Sequence, residues 1–292
     1  MMEFSFLTIR GLEALGPLTK TKKKEKISDS SNTPFRAPTL LSPHVAKQCT
    51  ELNLTKCELT DLPDTIGLFY MLKKLVLADN QLTFLPVQVG KLFSLVHFDC
   101  SRNKIKALPD EMACLKHLES LIATANLLHA LPDALQNFTK LKVLNVFNNK
   151  ILKLQPALGS FKEAETVNFS ANHMMQVLPH AVTNYSTVKV LNIFDCRIIY
   201  LPSLEHMHAL TELRAFGNHL QKVPDFGAGG RGAAARNLKL LELHRNSIRE
   251  VRRPPRTHAC SFWGGPRASF RAAFSCSRRH SPSHCVPSPP AP

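Results

Sequence analysis

An α/β solenoid is the fold class that the sequence predicts, with short parallel strands on a concave side and irregular or short helical returns on a convex side. Three observations carry the prediction. A leucine pattern restarts at Cys49, Leu72, Leu95, Leu118, Leu141, Ala164, Val188, Leu210 and Leu238, with five spacings of 23 residues followed by 24, 22 and 28. Each restart opens with apolar residues two apart, the period of a strand that buries one face. Each also closes on Asn or Cys and then Pro, residues that punctuate turns.

Before the first unit, residues 1–48 divide into a weakly amphipathic stretch, MMEFSFLTIRGLEALGPL, and a charged linker, KTKKKEKISDSSNTP. The linker is not expected to fold, and its basic run at Lys20 and Lys22–Lys26 has the look of a localisation signal. Residues 37–48 are placed as a cap over the edge of the first repeat, because a solenoid needs a cover on its exposed core. The early apolar run Phe4–Ile9 is too short for a secretory core, and no stretch reaches the roughly 20 apolar residues of a membrane span. The expected location is therefore the cytoplasm, extending to the nucleus. Sequons at Asn53, Asn137, Asn168 and Asn184 read as chance matches under that expectation.

Residues 49–251 are assigned to nine repeats of the form LxxLxLxxNxLxxLP. In the second, LKKLVLADNQLTFLP, Leu75 and Leu77 face the core, while Lys74, Val76 and Ala78 face outward. Asn80 follows where the chain leaves the strand, with counterparts at Asn103, Asn126, Asn149, Asn172, Asn218 and Asn246. A stacked column of asparagines can pair backbone groups that the turns would otherwise bury. Cys57 and Cys196 stand in the same slot in repeats one and seven. Pro63, Pro86, Pro109, Pro132, Pro202 and Pro224 open the returns, where a missing N–H disrupts no ladder. Pro156 and Pro179 fall one residue later, so the convex sides of repeats five and six are expected to be irregular.

This motif resembles the short LP-type, 23-residue repeats of intracellular Ras-group leucine-rich-repeat proteins, the scaffold and Ras-effector class. The resemblance covers about two thirds of the chain and implies a leucine-rich-repeat horseshoe acting as a monomeric, non-catalytic binding module. Signalling proteins such as a small GTPase, a kinase or a phosphatase are the implied partners. The motif residues are the structural ones, so they specify the fold and leave the partner open.

In repeat eight, FGAGGRGAAARN lengthens the return and contains Gly227, Gly229 and Gly232 at the spacing of a dinucleotide fingerprint. That fingerprint needs a strand running directly into the glycines, and here the strand ends near Phe216 with a Pro between, so no cofactor is expected. Beyond Val251, residues 252–292 are read as a disordered, Arg/Pro/Ser-rich tail, with Phe262 and Trp263 as the available lid over repeat nine.

The net charge of +15 sits mainly at the ends. Residues 1–48 hold eight Lys and Arg against four acidic residues, residues 252–292 hold seven against none, and residues 49–251 hold 22 against 18. A nucleic-acid reading would rest on the two tails, and no base-reading element accompanies them.

Chemistry finds little support. Cys49, Cys57, Cys100, Cys114 and Cys196 fall inside repeats and read as reduced packing residues. Cys260, Cys276, His280, His284 and Cys285 match no zinc-finger spacing, so no metal is expected. HExxH, GxSxG and GxxxxGK[ST] are absent from the sequence, and the acidic pair Asp110 and Glu111 belongs to a convex turn, so no catalytic residue is assigned.

The partner must then be read from the outward strand positions. At the third of these, repeats five, seven and eight carry Phe147, Phe194 and Phe216, while repeat nine carries His244. With strands about 4.8 Å apart, Phe194 and Phe216 should touch and Phe147 should lie roughly 10 Å from Phe194. At the second outward position stand Asn145, Asn168, Asn192 and Arg214. Aromatic anchors bordered by hydrogen-bonding groups are the usual form of a protein-binding hot spot, so these seven residues are the candidate site.

Overall fold

Leu75 and Leu77 are fully buried while Lys74, directly before Leu75 on the same strand, is exposed, and the same alternation recurs along the chain. A strand with one apolar edge cannot hide it alone, so stability comes from stacking each unit on the next. The computed structural model describes residues 7–8, 48–155, 161–227, 233–249 and 259–261.

Nine repeat strands result, each three residues long: β2 (Glu51–Asn53), β3 (Lys74–Val76), β4 (His97–Asp99), β5 (Ser120–Ile122), β6 (Val143–Asn145), β7 (Thr166–Asn168), β8 (Val190–Asn192), β9 (Glu212–Arg214) and β10 (Leu240–Glu242). The sheet continues by one strand at each edge, with β1 (Leu7–Thr8) beside β2 and β11 (Ala259–Ser261) beside β10. All 11 strands are parallel and run in sequence order, and equivalent residues of neighbouring repeats stand opposite each other. This is an open, curved leucine-rich-repeat sheet. The proposed cap at residues 37–48 lies outside the described residues except for Gln48. So do the basic run at Lys20–Lys26 and, apart from Ala259–Ser261, the tail from Val251 onward.

The returns are built on the prolines. Pro63, Pro86, Pro109, Pro132 and Pro179 each precede a five-residue 3-10 turn: Asp64–Leu68, Val87–Lys91, Asp110–Cys114, Asp133–Asn137 and His180–Asn184. In each, the Pro carbonyl accepts the N–H three residues on, as in Ile66 to Pro63 at 3.0 Å and Val89 to Pro86 at 3.0 Å. Repeat eight instead carries an α-helical turn, Ala233–Asn237, and Gly229 and Gly232 lie outside the described residues.

The asparagine column joins the repeats. Asn103 Nδ2 donates to Leu77 O of the preceding repeat at 2.9 Å and to Cys100 O at 3.1 Å, while its Oδ1 accepts from Leu82 N at 2.9 Å. Just before each ladder residue the chain turns through a left-handed conformation, at Asp79, Arg102, Ala125, Asn148, Ala171, Asp195 and Arg245 among others. In repeat eight a glycine stands there: Gly217 has φ +65°, and a Cβ would strike the Asp195 carboxylate.

The five cysteines inside the repeats are free thiols, and Cys49, Cys100 and Cys196 are buried. Burial pushes the Cys196 thiol up to about 12 and raises those of Cys100 and Cys49, so they are packing groups with little thiolate.

Candidate protein-binding surface

Each outward column of the concave sheet takes one residue per strand, so a side chain meets its counterparts at about the strand spacing of 4.8 Å. In the third column this builds a ladder of rings. Phe194 and Phe216 stack with centroids 4.6 Å apart and planes 6° from parallel, and Phe216 and His244 stack at 4.5 Å and 8°. Phe147 joins from two strands away, with its centroid 5.9 Å from that of Phe194 and its plane tilted by 48°. That approach is closer than the roughly 10 Å expected from strand spacing alone. The residue between them, Ser170, is small and fully buried, so the two rings lean over it and cover it. His244 extends the ridge beyond the three phenylalanines that the sequence singled out; it shares their column but is not one of the apolar anchors sought there.

All four rings are half-buried. Because the ring faces of Phe194 and Phe216 are turned toward each other, the ridge offers mainly C–H edges to a partner. A cation stacked over a ring face would have to displace a neighbour within this ladder, whereas an apolar or aromatic side chain can lie along it.

Local bracing explains the next column. Asn145 Oδ1 accepts the Phe147 N–H at 3.2 Å, and Asn168 Oδ1 accepts the Ser170 N–H at 3.0 Å. Asn53 and Asp99 brace the N–H two residues on in the same way. The Phe194 N–H is held differently, by Ser170 Oγ at 3.1 Å. That leaves Asn192 Oδ1 to face Arg214 Nη1 at 3.4 Å. Two asparagines of the predicted site therefore each engage their oxygen once in bracing the strand end, which leaves the Nδ2 group and a second lone pair for a ligand.

Arg214 is held as well. Its Nη2 lies 2.9 Å from Glu212 Oε2 and its Nε 3.4 Å from Glu242 Oε2. One guanidinium thus sits between two carboxylates as a bridging ion pair, which the sequence reading of Arg214 did not include. The signal was present, since Glu212 and Glu242 occupy outward positions of the same and the adjacent strand.

The floor leading to the ridge carries no ionisable group. Ser120, Ile122, Thr124, Val143, Asn145, Phe147, Thr166, Asn168, Ser170, Val190, Asn192 and Phe194 occupy the three outward columns of repeats four to seven. Charged residues stand to either side, at Lys74 and Asp99 toward one end and at Glu212, Arg214 and Glu242 toward the other. Along one margin the charges neutralise in pairs, Lys142 with Glu119 at 2.8 Å and Lys189 with Glu165 at 2.9 Å. Past the turn, Leu152, Met174, Val177, Ile199 and Tyr200 are exposed on the flank of repeats five to seven, so these repeats show apolar surface on two adjacent faces.

Asp110 and Glu111 lie in a convex 3-10 turn, away from this surface. Among the described residues, no helix is long and apolar enough to cross a membrane.

Comparison with known proteins agrees with this architecture. The leucine rich repeat family model matches residues 70–128. No curated protein matches the chain. Among solved structures, the leucine-rich-repeat domain of the type III effector XopL superposes with a TM-score of 0.62 at 19% identity, covering 74% of this chain and 76% of that one. A leucine-rich-repeat protein of Leptospira interrogans gives 0.56 at 23% identity, covering 77% of this chain and 65% of that one. The Arabidopsis receptor kinase HAESA, solved in complex with the peptide hormone IDA and the co-receptor SERK1, gives 0.56 at 22% identity, with 68% of this chain and 34% of that one covered. The chain thus spans less than two thirds of the Leptospira protein and about a third of HAESA. At these identities the likeness establishes the leucine-rich-repeat fold.

Proposed function

We propose that this leucine-rich-repeat chain is a non-catalytic scaffold of intracellular signalling that binds a protein partner on the concave face of repeats five to eight. Phe147, Phe194 and Phe216 are the anchors, and Asn145, Asn168, Asn192 and Arg214 orient the partner. The single observation that carries the reading is the ring ladder, with centroids 4.5 to 5.9 Å apart on half-buried side chains. A soluble surface gains nothing from keeping such a ridge partly in water, and a partner that covers it gains the burial of three aromatic rings. The argument from the fold is that leucine-rich-repeat proteins serve generally as protein-interaction scaffolds; HAESA, in the same fold, holds a peptide hormone and a co-receptor.

A small GTPase, kinase or phosphatase is the partner class in this reading, the chain acts as a monomer, and the cytoplasm, extending to the nucleus, is where it works. Replacing Phe147, Phe194 and Phe216 with Ser in the full chain, with the circular dichroism unchanged, is expected to lower partner affinity by roughly 100-fold or more, the scale of hot-spot truncation. Affinity purification with mass spectrometry identifies the partner, and titration calorimetry reads the change. Undiminished affinity would overturn the proposed site.

A further inference from the structure

Charge is uneven within the repeats as well as between them and the tails. From the ladder slot to the proline of the return, repeats three to eight hold six Lys and Arg, three His and no Asp or Glu. The six cations are Lys104, Lys106, Lys150, Lys153, Arg197 and Lys222, all of them exposed. Among the described residues none of the six pairs with a carboxylate. At the entry to the strands the opposite holds, since Lys142 and Lys189 are neutralised by Glu119 and Glu165.

The basic flank also carries the exposed apolar side chains of repeats five to seven. Leu152, Met174, Val177, Ile199 and Tyr200 are between 46% and 61% exposed. Repeat six opens a space among them, because its segment after the ladder slot is one residue longer than its neighbours'. Buried Met175 stands three positions after Asn172, whereas Ile151 and Ile198 stand two after Asn149 and Cys196. A turn takes up the extra residue, with the Met175 N–H donating to Asn172 O at 2.9 Å, and Met174 is left outside. Beside it lies a depression of about 450 Å³ whose lining includes Leu152, Lys153, Met174, Gln176 and Val177. Val177 in turn bridges Tyr200 in parallel, so repeats six and seven continue the apolar surface side by side.

We infer that this flank is a second protein-binding surface, separate from the concave ridge, and that its occupant is an acidic segment of a partner protein that seats an apolar side chain between repeats five and six. Charge complementarity identifies the segment. Six unpaired cations on one face, with no anion among them, sum to a positive potential that carboxylates on either side of an anchor would neutralise. The depression identifies the anchor, since an apolar side chain placed there covers Leu152, Met174 and Val177 while Lys153 stands beside it to meet a carboxylate. Shape favours a peptide over a lipid surface. A bilayer would rest on the protruding side chains, whereas a single side chain can enter the hollow.

Binders can be selected without presuming a sequence. Random peptides displayed on phage are selected on the full chain, and each clone is then tested on the Lys150→Glu, Lys153→Glu double variant and on Phe194→Ser. Clones that lose the double variant but keep Phe194→Ser are expected, with Asp or Glu on both sides of a Leu, Ile, Met or Phe. In fluorescence anisotropy their consensus peptide should bind the double variant at least about tenfold more weakly, and Val177→Ser should weaken it to a similar degree. Raising the salt from about 50 to about 500 mM should weaken it by about tenfold as well. Circular dichroism shows whether each variant is folded, and Lys150→Ser with Lys153→Ser, which removes charge without reversing it, supplies the comparison if the glutamates disturb the fold. The absence of any flank-dependent clone, or flank-dependent clones without acidic residues, would overturn the inference. So would sedimentation of the chain with vesicles of phosphatidylcholine and phosphatidylserine that is lost in the double variant while no acidic peptide binds, because the occupant would then be a membrane. Phe194→Ser alters the ridge and leaves the flank intact, so failure of this surface and failure of the concave site are read separately.

Discussion

At the ladder slot, one side chain serves two repeats at once. Asn126 accepts the Ile105 N–H at 3.1 Å and donates to Cys100 O at 3.0 Å and Thr124 O at 3.2 Å, all across a dry turn. Replacing it with Ala would leave a donor and carbonyls buried without partners, which costs on the order of 3 kcal/mol. Urea denaturation of Asn126→Ala should show that loss as a lower midpoint with little change in slope; an unchanged midpoint would mean that water replaces the amide. Repeat seven shows how the chain copes when the amide is missing. Cys196 Sγ lies 3.3 Å from Phe169 O as a weak donor but cannot stand in for Oδ1, and the Met175 N–H turns back to Asn172 O at 2.9 Å. The asparagine column was legible in the sequence because the slot recurs at a fixed position. The bracing of Phe147 by Asn145 was not, since an Asn on a concave face reads equally well as a ligand group or as a side chain bonded to its own backbone.

Repeating elements place the same demand on successive returns. The 3-10 turns after Pro86 and Pro109 pack so closely that a Cβ on Gly90 would strike the backbone of Glu111, whereas one on Gly67 would meet the flexible side chains of Gln88 and Lys91 as well as a backbone oxygen. A rigid neighbour cannot yield as a side chain does, so Gly90→Ala is expected to destabilise the array by about 1 to 3 kcal/mol, the usual range for overpacking. Thermal unfolding followed by circular dichroism checks this, and an unchanged midpoint would show that the two returns can slide apart. The prolines announced where each return begins, but the choice of 3-10 over irregular backbone was not legible. It depends on the carbonyl before the turn meeting an N–H three residues later while the next repeat packs alongside. The strands were legible because their core and surface residues alternate. Their partners β1 and β11 were not, since neither Leu7–Thr8 nor Ala259–Ser261 belongs to the repeat.

Across the whole molecule the distribution of charge matters more than its sum. The net charge of +15 belongs largely to the two terminal regions, while the concave floor of repeats four to seven is without ionisable groups. If the partner docks on that floor, raising the salt from 50 to 500 mM should change its affinity by no more than a few-fold. Binding through basic tails would lose orders of magnitude over such a range. Isothermal titration at the two salt concentrations separates the cases, and a steep salt dependence would move the contact away from the ridge. The contact between Phe194 and Phe216 could be read from the sequence because alternation puts both in one outward column of adjacent strands. The tilt of Phe147 over Ser170 and the clamping of Arg214 between two glutamates depend on how neighbouring side chains settle, which strand register alone does not fix.

The absence of charge from that floor also sets the pace of recognition. With no charge on the floor itself to orient a partner over the rings, the floor adds no steering of its own, and encounters there should proceed near the unsteered rate, on the order of 10⁵ to 10⁶ M⁻¹s⁻¹. Whatever affinity the surface reaches must then come from slow departure, so a complex formed here would assemble unhurriedly and, once seated along the rings, stay.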